Sequence, residues 1–381
     1  MHTIDPDLSA DRAKLRLPGT ARARTPAATL EMARRAADQV GITRVADITR
    51  LDVIGIPTYQ AIRPLSRTLA VSQGKGVTPE LAMVSAMMES IETWHVEQPL
   101  PPVVTGTPRE LDLAYDLAAL PLTAPQLLHD ELPLTWLPAR SLADGVATLV
   151  PRDAVRLSLE QPTDWCAPAF LASTNGLASG NTVVEATLHA LYEVIERDAV
   201  TAATGSDRGV RVDPRTLRSA VIDDLCAMIE RAGVVLETRL LPSPTGLPCF
   251  LAWVACDDYP AAMYGFGCHL SAETALSRAI TEATQTRLAY IAGARDDLRE
   301  GIDDSGARRR PEPAGEPADI NDLLGVRVDH DSLLDDLDYV VERATAAFGH
   351  SPVVADLTRA EIGVPVVKVV APGSRVSLEV L

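Results

Sequence analysis

Net positive charge, long apolar runs and C-x-x-C cysteine pairs are all missing from this 381-residue chain. Lys and Arg total 35 against 52 Asp and Glu, for a formal net charge of −17. That balance argues against a non-specific nucleic-acid binder, which meets phosphates with clustered Lys and Arg, and an anionic membrane surface would repel it. No run approaches the roughly 18 apolar residues of a membrane helix. The N-terminus has no basic stretch leading into an apolar segment, so no signal peptide is expected. The chain is therefore expected in the cytoplasm, with neither nucleic acid nor membrane as partner. The five cysteines, Cys166, Cys226, Cys249, Cys256 and Cys268, form no C-x-x-C pair. This speaks against a zinc ribbon or a thioredoxin-type motif and for free thiols. Cys268, next to His269 and close to Gly265 and Gly267, is the one cysteine in a suggestive setting, and simple packing is its plainer reading. A phosphate loop is missing too. Gly74-Lys75-Gly76 looks like part of one, but Leu69 stands where the first glycine should be, and Gly76 replaces the Ser or Thr after the lysine. The segment reads as a glycine-rich turn from strand to helix.

What the chain does have is acid ordered along helices. The run Asn181 to Arg197 reads as one helix. At about 100° per residue, Asn181, Glu185, His189, Glu193 and Glu196 fall within roughly 120° of arc. Val184, Leu188, Leu191, Val194 and Ile195 form the opposite, core-facing side. Solvated faces usually mix Lys with Glu, yet this stripe has no cation before Arg197. Oxygen ligands of this kind suit a hard ion such as Mg²⁺, which usually arrives with phosphates. A negatively charged surface face is the bland alternative. A second helix, Met83 to Glu97, places Ser85, Glu89 and Glu92 close together, with the two carboxylates at i,i+3. A third, Ser271 to Ile291, carries Arg278, Glu282 and Gln285 on one stripe, with Arg287 nearby. Three such helices together point to a shared metal and phosphate site.

The rest of the chain is readable in outline. At roughly 100–200 residues per domain, the length allows one large domain or two or three smaller ones. Residues 1–28 read as a loosely held lead, and Thr29 to Val40 as a helix opened by Thr25-Pro26. Val53 to Ala61, Thr68 to Ser72, Ala147 to Leu157 and Val364 to Val370 read as strand material. Val234 to Leu241 and Pro248 to Cys256 read as paired strands joined by a Pro- and Gly-containing turn. Pro-rich stretches at 99–107 and 119–137 read as loops, and Arg299 to Asp319 as a mobile one. No repeat of 20–50 residues is visible. The expected fold is α+β or mixed α/β, with sheets backed by the three site helices. Residues 1–60 would be a lead and helix contributing to the site, and 61–381 the main domain.

Four blocks carry a resemblance. They are Ser72-Gln73-Gly74-Lys75-Gly76, Ser85 to Glu92, Asn175 to Asp198, and Arg278 to Glu282 with Gln285 and Arg287. In this order and spacing the chain resembles the YcaO family, ATP-dependent enzymes that activate peptide backbone amides, from about residue 60 onward. The Met-Glu-Ser-Ile-Glu form of the first acidic helix (Met88 to Glu92) and the run Tyr290 to Asp297 look closest to stand-alone members that work beside a TfuA-like protein. The resemblance implies Mg²⁺ held by Glu89, Glu92, Glu185, Glu193 and Glu196, with Asn181 in the same shell. It implies ATP contacts from Arg22, Thr29, Lys75, Glu92, Asn181, Glu185, Arg197, Glu282, Gln285 and Arg287. Arg197, Glu193 and Arg287 are the residues expected nearest the chemistry, the two arginines as forked phosphate ligands. Lys75 is placed near the nucleotide without a catalytic role. Thr93 departs from the family, where Arg often follows the second Glu, and His189 is not a fixed family feature.

In that family a nucleophile adds to the amide carbonyl, ATP phosphorylates the oxyanion, and phosphate leaves; positioning and Mg²⁺ do most of the work. A side-chain nucleophile gives an azoline, external sulfide a thioamide, an amine an amidine. The Pro-x-Pro-x-Pro tail of many azoline-forming members does not follow Arg375. With the TfuA-type resemblance, the expectation is a thioamide on a ribosomally made precursor peptide, with a TfuA-like protein and a sulfur donor as partners and room for a homodimer. An azoline-forming cyclodehydratase, an amidine-forming macrocyclase, another ATP-dependent ligase or kinase, and a non-catalytic peptide-binding scaffold stay open as alternatives.

Overall fold

The computed structural model of the chain describes residues 14–100, 104–157, 169–204, 209–293, 315–325 and 328–377. Cys166, residues 294–314, which hold the end of the 290–297 run and most of the 299–319 loop, and residues 378–381 lie outside them. The described part opens with a hairpin, β1 (Leu15–Leu17) and β2 (Thr20–Arg22). Helix α1 (Pro26–Val40) starts as its sequence signals require. The Thr25 side chain accepts from the Ala28 N–H, Pro26 occupies the first turn, and Gly41 closes the helix at φ 83°.

Strands β3 (Arg44–Asp47), β4 (Thr58–Ile62) and β5 (Val71–Lys75) form an antiparallel sheet. The expected strand over Val53 to Ala61 is realised only in its second half, because Gly55 at φ 81° and Pro57 interrupt the first. Gly74 and Lys75 end β5 and are not the turn the sequence suggested. Helix α2 (Pro79–Glu97) packs on this sheet so closely that a Cβ on Gly74 would lie 2.0 Å from the Ala86 nitrogen. Strands β6 (Val104–Gly106), β7 (Leu134–Ser141) and β8 (Ala147–Pro151) follow. The start of β7 lies in a stretch expected to be loop.

After β9 (Leu177–Ser179) comes α3 (Val183–Ala203). Its cap is Thr182, which accepts from the Glu185 N–H. Asn181 therefore sits before the helix instead of on it, and α3 runs beyond Arg197. β10 (Val210–Asp213) and α4 (Ala220–Arg231) lead into β11 (Val235–Leu241), β12 (Cys249–Cys256) and β13 (Tyr259–Cys268). α5 (Ala272–Ala292) lies on β13 and β12. The chain continues through β14 (Ala318–Asp319), the one-turn α6 (Ile320–Leu323), α7 (Leu333–Phe348), β15 (Val353–Asp356) and β16 (Val366–Val370).

Two larger sheets result among the described residues. One has the order β13-β12-β11-β10-β14; the other is β6-β7-β15-β16-β9, with β8 paired to β7. α3 is sandwiched between them, touching β16 and β9 on one side and β13 on the other, with α7 alongside. The fold is mixed α/β, and each of the three acid-bearing helices backs a sheet, as expected. Their apolar faces explain this: Ile91 of α2, Leu191 and Ile195 of α3, and Ile280 of α5 are fully buried. No helix among the described residues is long and apolar enough to cross a membrane.

Candidate active site

The polar faces of α2, α3 and α5 meet across a cleft of about 1090 Å³. α3 lines it with Glu185, His189, Glu193, Glu196 and Arg197. α2 adds Ser85, Glu89, Glu92 and Thr93, and α5 adds Arg278, Glu282 and Gln285. Arg22 from β2, Thr29 from α1 and Lys75 from β5 complete the polar wall. The stripe on α3 is thus an inward-facing row and not a solvated surface.

Four of these carboxylates are anchored by hydrogen bonds from neighbouring segments. Glu185 accepts from the Ala23 N–H at 2.8 Å and from Asn181 Nδ2 at 3.0 and 3.1 Å, with Arg22 Nε 3.7 Å from Oε1. Thr29 Oγ1 donates to Asn181 Oδ1 at 2.8 Å, so α1 is tied to the entry of α3. Glu92 accepts from the N–H and hydroxyl of Ser179 at 2.7 and 2.6 Å. Glu196 accepts from the Cys268 N–H at 3.0 Å. Glu282 accepts from the Phe266 N–H at 3.4 Å and is ion-paired with Lys75. Cys268 itself is fully buried beside Cys249, and what reaches the site is its backbone.

The electrostatics divide the cleft. Burial pushes the Glu92 carboxyl up to about 8, with Glu89 and Glu193 adding to the rise. Burial and then Glu282 push Glu196 up to about 7. Burial also raises Glu193, against the pull of Arg197 and Lys368. Glu282 is held low despite its burial because Lys75 and Arg197 outweigh it. Burial would lower Arg197, but Glu196, Glu193 and Glu282 keep it above its ordinary value. His189 is driven well below its ordinary range by burial and by Arg278, Arg22 and Lys75, so it faces those cations as a neutral ring. His189 is thus surrounded by positive charge, and Glu193, Glu196 and Arg197 follow it along α3.

These features fit a nucleoside triphosphate with its metal. The Nε of Arg278 is buried without a hydrogen-bond partner in a wall that offers two further cations, which suits phosphate oxygens. The raised carboxyls are acids that an added cation would return to their charged form. Among the described residues no three His, Cys, Asp or Glu side chains converge closely enough to hold a metal ion unaided. Mg²⁺ commonly takes one or two carboxylates and completes its shell with water and phosphate oxygens, so this arrangement suits a metal that comes with the nucleotide. Of the five carboxylates expected around it, Glu185, Glu92 and Glu196 accept backbone N–H bonds.

Arg287 is placed elsewhere. Its Nε donates to Asp52 at 2.9 Å and Nη1 to the Cys256 sulfur at 3.4 Å, and it does not line the cleft. Helical arithmetic accounts for this: at about 100° per residue, Arg278 and Arg287 lie on opposite faces of α5. Arg278, which shares a stripe with Glu282 and Gln285, is the arginine that α5 brings to the site. Asp198, which follows Arg197 on α3, pairs with Arg375 at 2.8 Å.

Comparison with known proteins agrees with this architecture. Residues 73–375 match the family model described as YcaO cyclodehydratase, ATP- and Mg²⁺-binding. The chain belongs to the YcaO family. It is 39% identical over 354 residues, 87% of this chain and 77% of the other, to an uncharacterized protein of Mycobacterium tuberculosis. It is 39% identical over 299 residues, 74% of this chain and 70% of the other, to an uncharacterized protein in the tfuA 3′ region of Rhizobium leguminosarum bv. trifolii. The fold matches YcaO from Methanopyrus kandleri bound with AMPPCP and Mg²⁺, at a TM-score of 0.76 and 24% identity over 96% of this chain and 94% of that one. It also matches a heterocyclase in complex with substrate and cofactor, at a TM-score of 0.80 and 23% identity; the match covers 96% of this chain but 54% of the heterocyclase.

Proposed function

We propose that this protein activates a peptide backbone amide by ATP-dependent phosphorylation of its oxygen and installs a thioamide in a ribosomally made peptide, with a TfuA-like protein as partner. The observation that carries the first part is one cleft lined both by Arg22, Lys75 and Arg278 and by Glu89, Glu92, Glu193 and Glu196. The Rhizobium relative in the tfuA 3′ region supports the second part.

In the reaction, sulfide adds to the amide carbonyl and the C–O π bond opens to an oxyanion. That oxygen takes the γ-phosphoryl group of ATP, releasing ADP. Loss of a proton and expulsion of phosphate then leave a C=S bond. The net change is amide, H₂S and ATP to thioamide, ADP and phosphate. Arg22, Arg278 and Arg197 would bind and orient the phosphates by forked contacts, and Lys75 stays bound to Glu282. Bound Mg²⁺, held through Glu89, Glu92 and Glu193, would neutralise charge on the transferring group. Asn181 and Thr29 hold Glu185 in place, and Gln285 offers an uncharged donor and acceptor at the same wall.

The family description favours a second reading, dehydrative cyclisation to an azoline. Mass spectrometry of a candidate precursor peptide after incubation with Mg-ATP, sulfide and the partner separates the two. A gain of about 16 Da marks oxygen replaced by sulfur, and a loss of about 18 Da marks cyclodehydration. Free phosphate accompanies both outcomes. ADP without free phosphate would point to a kinase, and no ADP to a binding scaffold.

A further inference from the structure

We propose that the end of the cleft remote from Arg22 is a subsite for an uncharged apolar or aromatic side chain of the peptide, next to the amide that reacts. This rests on the amide-activating reading. α3 lines the cleft along its length, and its character changes on the way: Glu185 to Arg197 are polar, whereas Val200 and Ala203 are not. At 1.5 Å per residue Ala203 lies roughly 27 Å beyond Glu185. α5 loses its charge in the same direction, from Arg278 and Glu282 through the uncharged Gln285 and Thr286 to Ala289 and Tyr290. The cleft has no charged lining residue on α3 beyond Arg197 or on α5 beyond Glu282. With Val200 of α3 and Tyr290 of α5, the cleft is lined by Leu241, Leu251, Tyr264 and Phe266 of β11, β12 and β13.

Two observations make this wall a site rather than leftover core. The whole chain has 4 Phe, 7 Tyr and 4 Trp, yet Tyr264, Phe266 and Tyr290 all stand partly exposed on this one wall. Aromatic rings left open in a concave site offer apolar area and stacking faces. Phe266 is also tied to the chemistry: its N–H donates to Glu282, and Leu251 faces it across the β12–β13 pair. A side chain seated here lies beside the carboxylates and Arg197. Among the described residues this wall offers a charged side chain no partner to offset its lost hydration, and an acid would add to the charge of the neighbouring carboxylates as well.

The test uses blocked heptapeptides identical except for a central Phe, Leu, Ser, Lys or Asp. Each is titrated by calorimetry into the protein loaded with Mg²⁺ and a non-hydrolysable ATP analogue. The Phe and Leu peptides should bind roughly tenfold or more tightly than the Lys and Asp peptides. In Tyr290→Glu and Tyr264→Glu the preference should move toward the Lys peptide. Equal affinities across the wild-type series, no binding by any peptide, or an unchanged order in folded variants would overturn the subsite. Phosphate release measured with ATP, sulfide and a TfuA-like protein present separates this from the parent reading. Selective binding without phosphate release keeps the subsite and sinks amide activation, whereas release equally stimulated by all five peptides keeps amide activation and sinks the subsite.

Discussion

Glu92 carries the sharpest conflict of any single residue, because its carboxyl is raised to about 8 from an ordinary 4.5 by burial and by Glu89 and Glu193. A group whose folded pKa is raised contributes stability that is complete below its unfolded pKa and is lost as pH rises through the folded one. Nucleotide-free wild-type protein should therefore lose stability relative to Glu92→Gln between pH 4.5 and about 8. The loss should be on the order of a few kcal/mol, reduced by water in the open cleft. Melting curves across that range decide it, and parallel curves for the two proteins would remove the conflict. The same substitution should lower Mg²⁺-dependent ATP turnover roughly 10²- to 10³-fold, the scale of losing one preorganised electrostatic contact. The arginines give a second prediction. Arg278→Lys and Arg197→Lys should weaken nucleotide binding roughly tenfold, since Lys lacks the fork. Arg287→Lys should leave it unchanged, while Arg287→Met should cost about 3–5 kcal/mol in denaturant unfolding by stranding buried Asp52. A nucleotide defect in Arg287→Lys with normal stability would return that residue to the site.

Among the elements, helices with a visible cap and a one-sided stripe were the legible ones. Thr25-Pro26 announces α1, and the acids of α2, α3 and α5 mark the faces that line the cleft. Asn181 belonged off the helix by the same logic, since Thr182 is the better cap. Arg287 lies a half-turn away from the stripe of Arg278, Glu282 and Gln285, which the helical period makes visible in the sequence. Other features had no local signal. Thr29 meets Asn181 across 152 positions of sequence and Ala23 meets Glu185 across 162. β7 was hidden by its own Pro138 and by the prolines before it, and the end of β13 by Gly265 and Gly267. Those glycines make sense only against α5, whose backbone stands 2.2 and 2.0 Å from where their Cβ atoms would be. Gly74 tests this kind of contact. Gly74→Ala should push α2 off β5, cost about 1–3 kcal/mol or more, and raise the Mg²⁺ requirement because Glu89 and Glu92 move with the helix. Gly325→Ala, with nothing within 4 Å, is the control and should be neutral or slightly stabilising. Equal melting temperatures for the two variants would show that the sheet and α2 yield without cost.

At the scale of the whole molecule, the charge of −17 bears on where sulfur comes from. Near neutral pH sulfide is a mixture of H₂S and the nucleophilic anion HS⁻. It would have to approach an acidic protein and enter a cleft whose floor carries Glu89, Glu92, Glu193 and Glu196. Long-range repulsion of this kind lowers association rates and is relieved by salt. Free sulfide should therefore be a poor co-substrate, and a carrier protein that delivers sulfur by docking should avoid the penalty. We expect the purified protein alone to hydrolyse ATP slowly and to modify its peptide poorly with sulfide. Raising ionic strength from about 0.01 to 0.15 M, which shortens the screening length from about 30 to 8 Å, should speed the sulfide-dependent reaction several-fold. Adding a TfuA-like protein should raise the yield of the heavier product by much more and leave it less sensitive to salt. The measurement is product mass and initial rate at the two salt concentrations, with and without the partner. A sulfide-dependent rate that is fast at low salt and indifferent to the partner would defeat the delivery argument. Loss of water with no sulfur gained under every condition would defeat the thioamide reading and leave the azoline reading in its place.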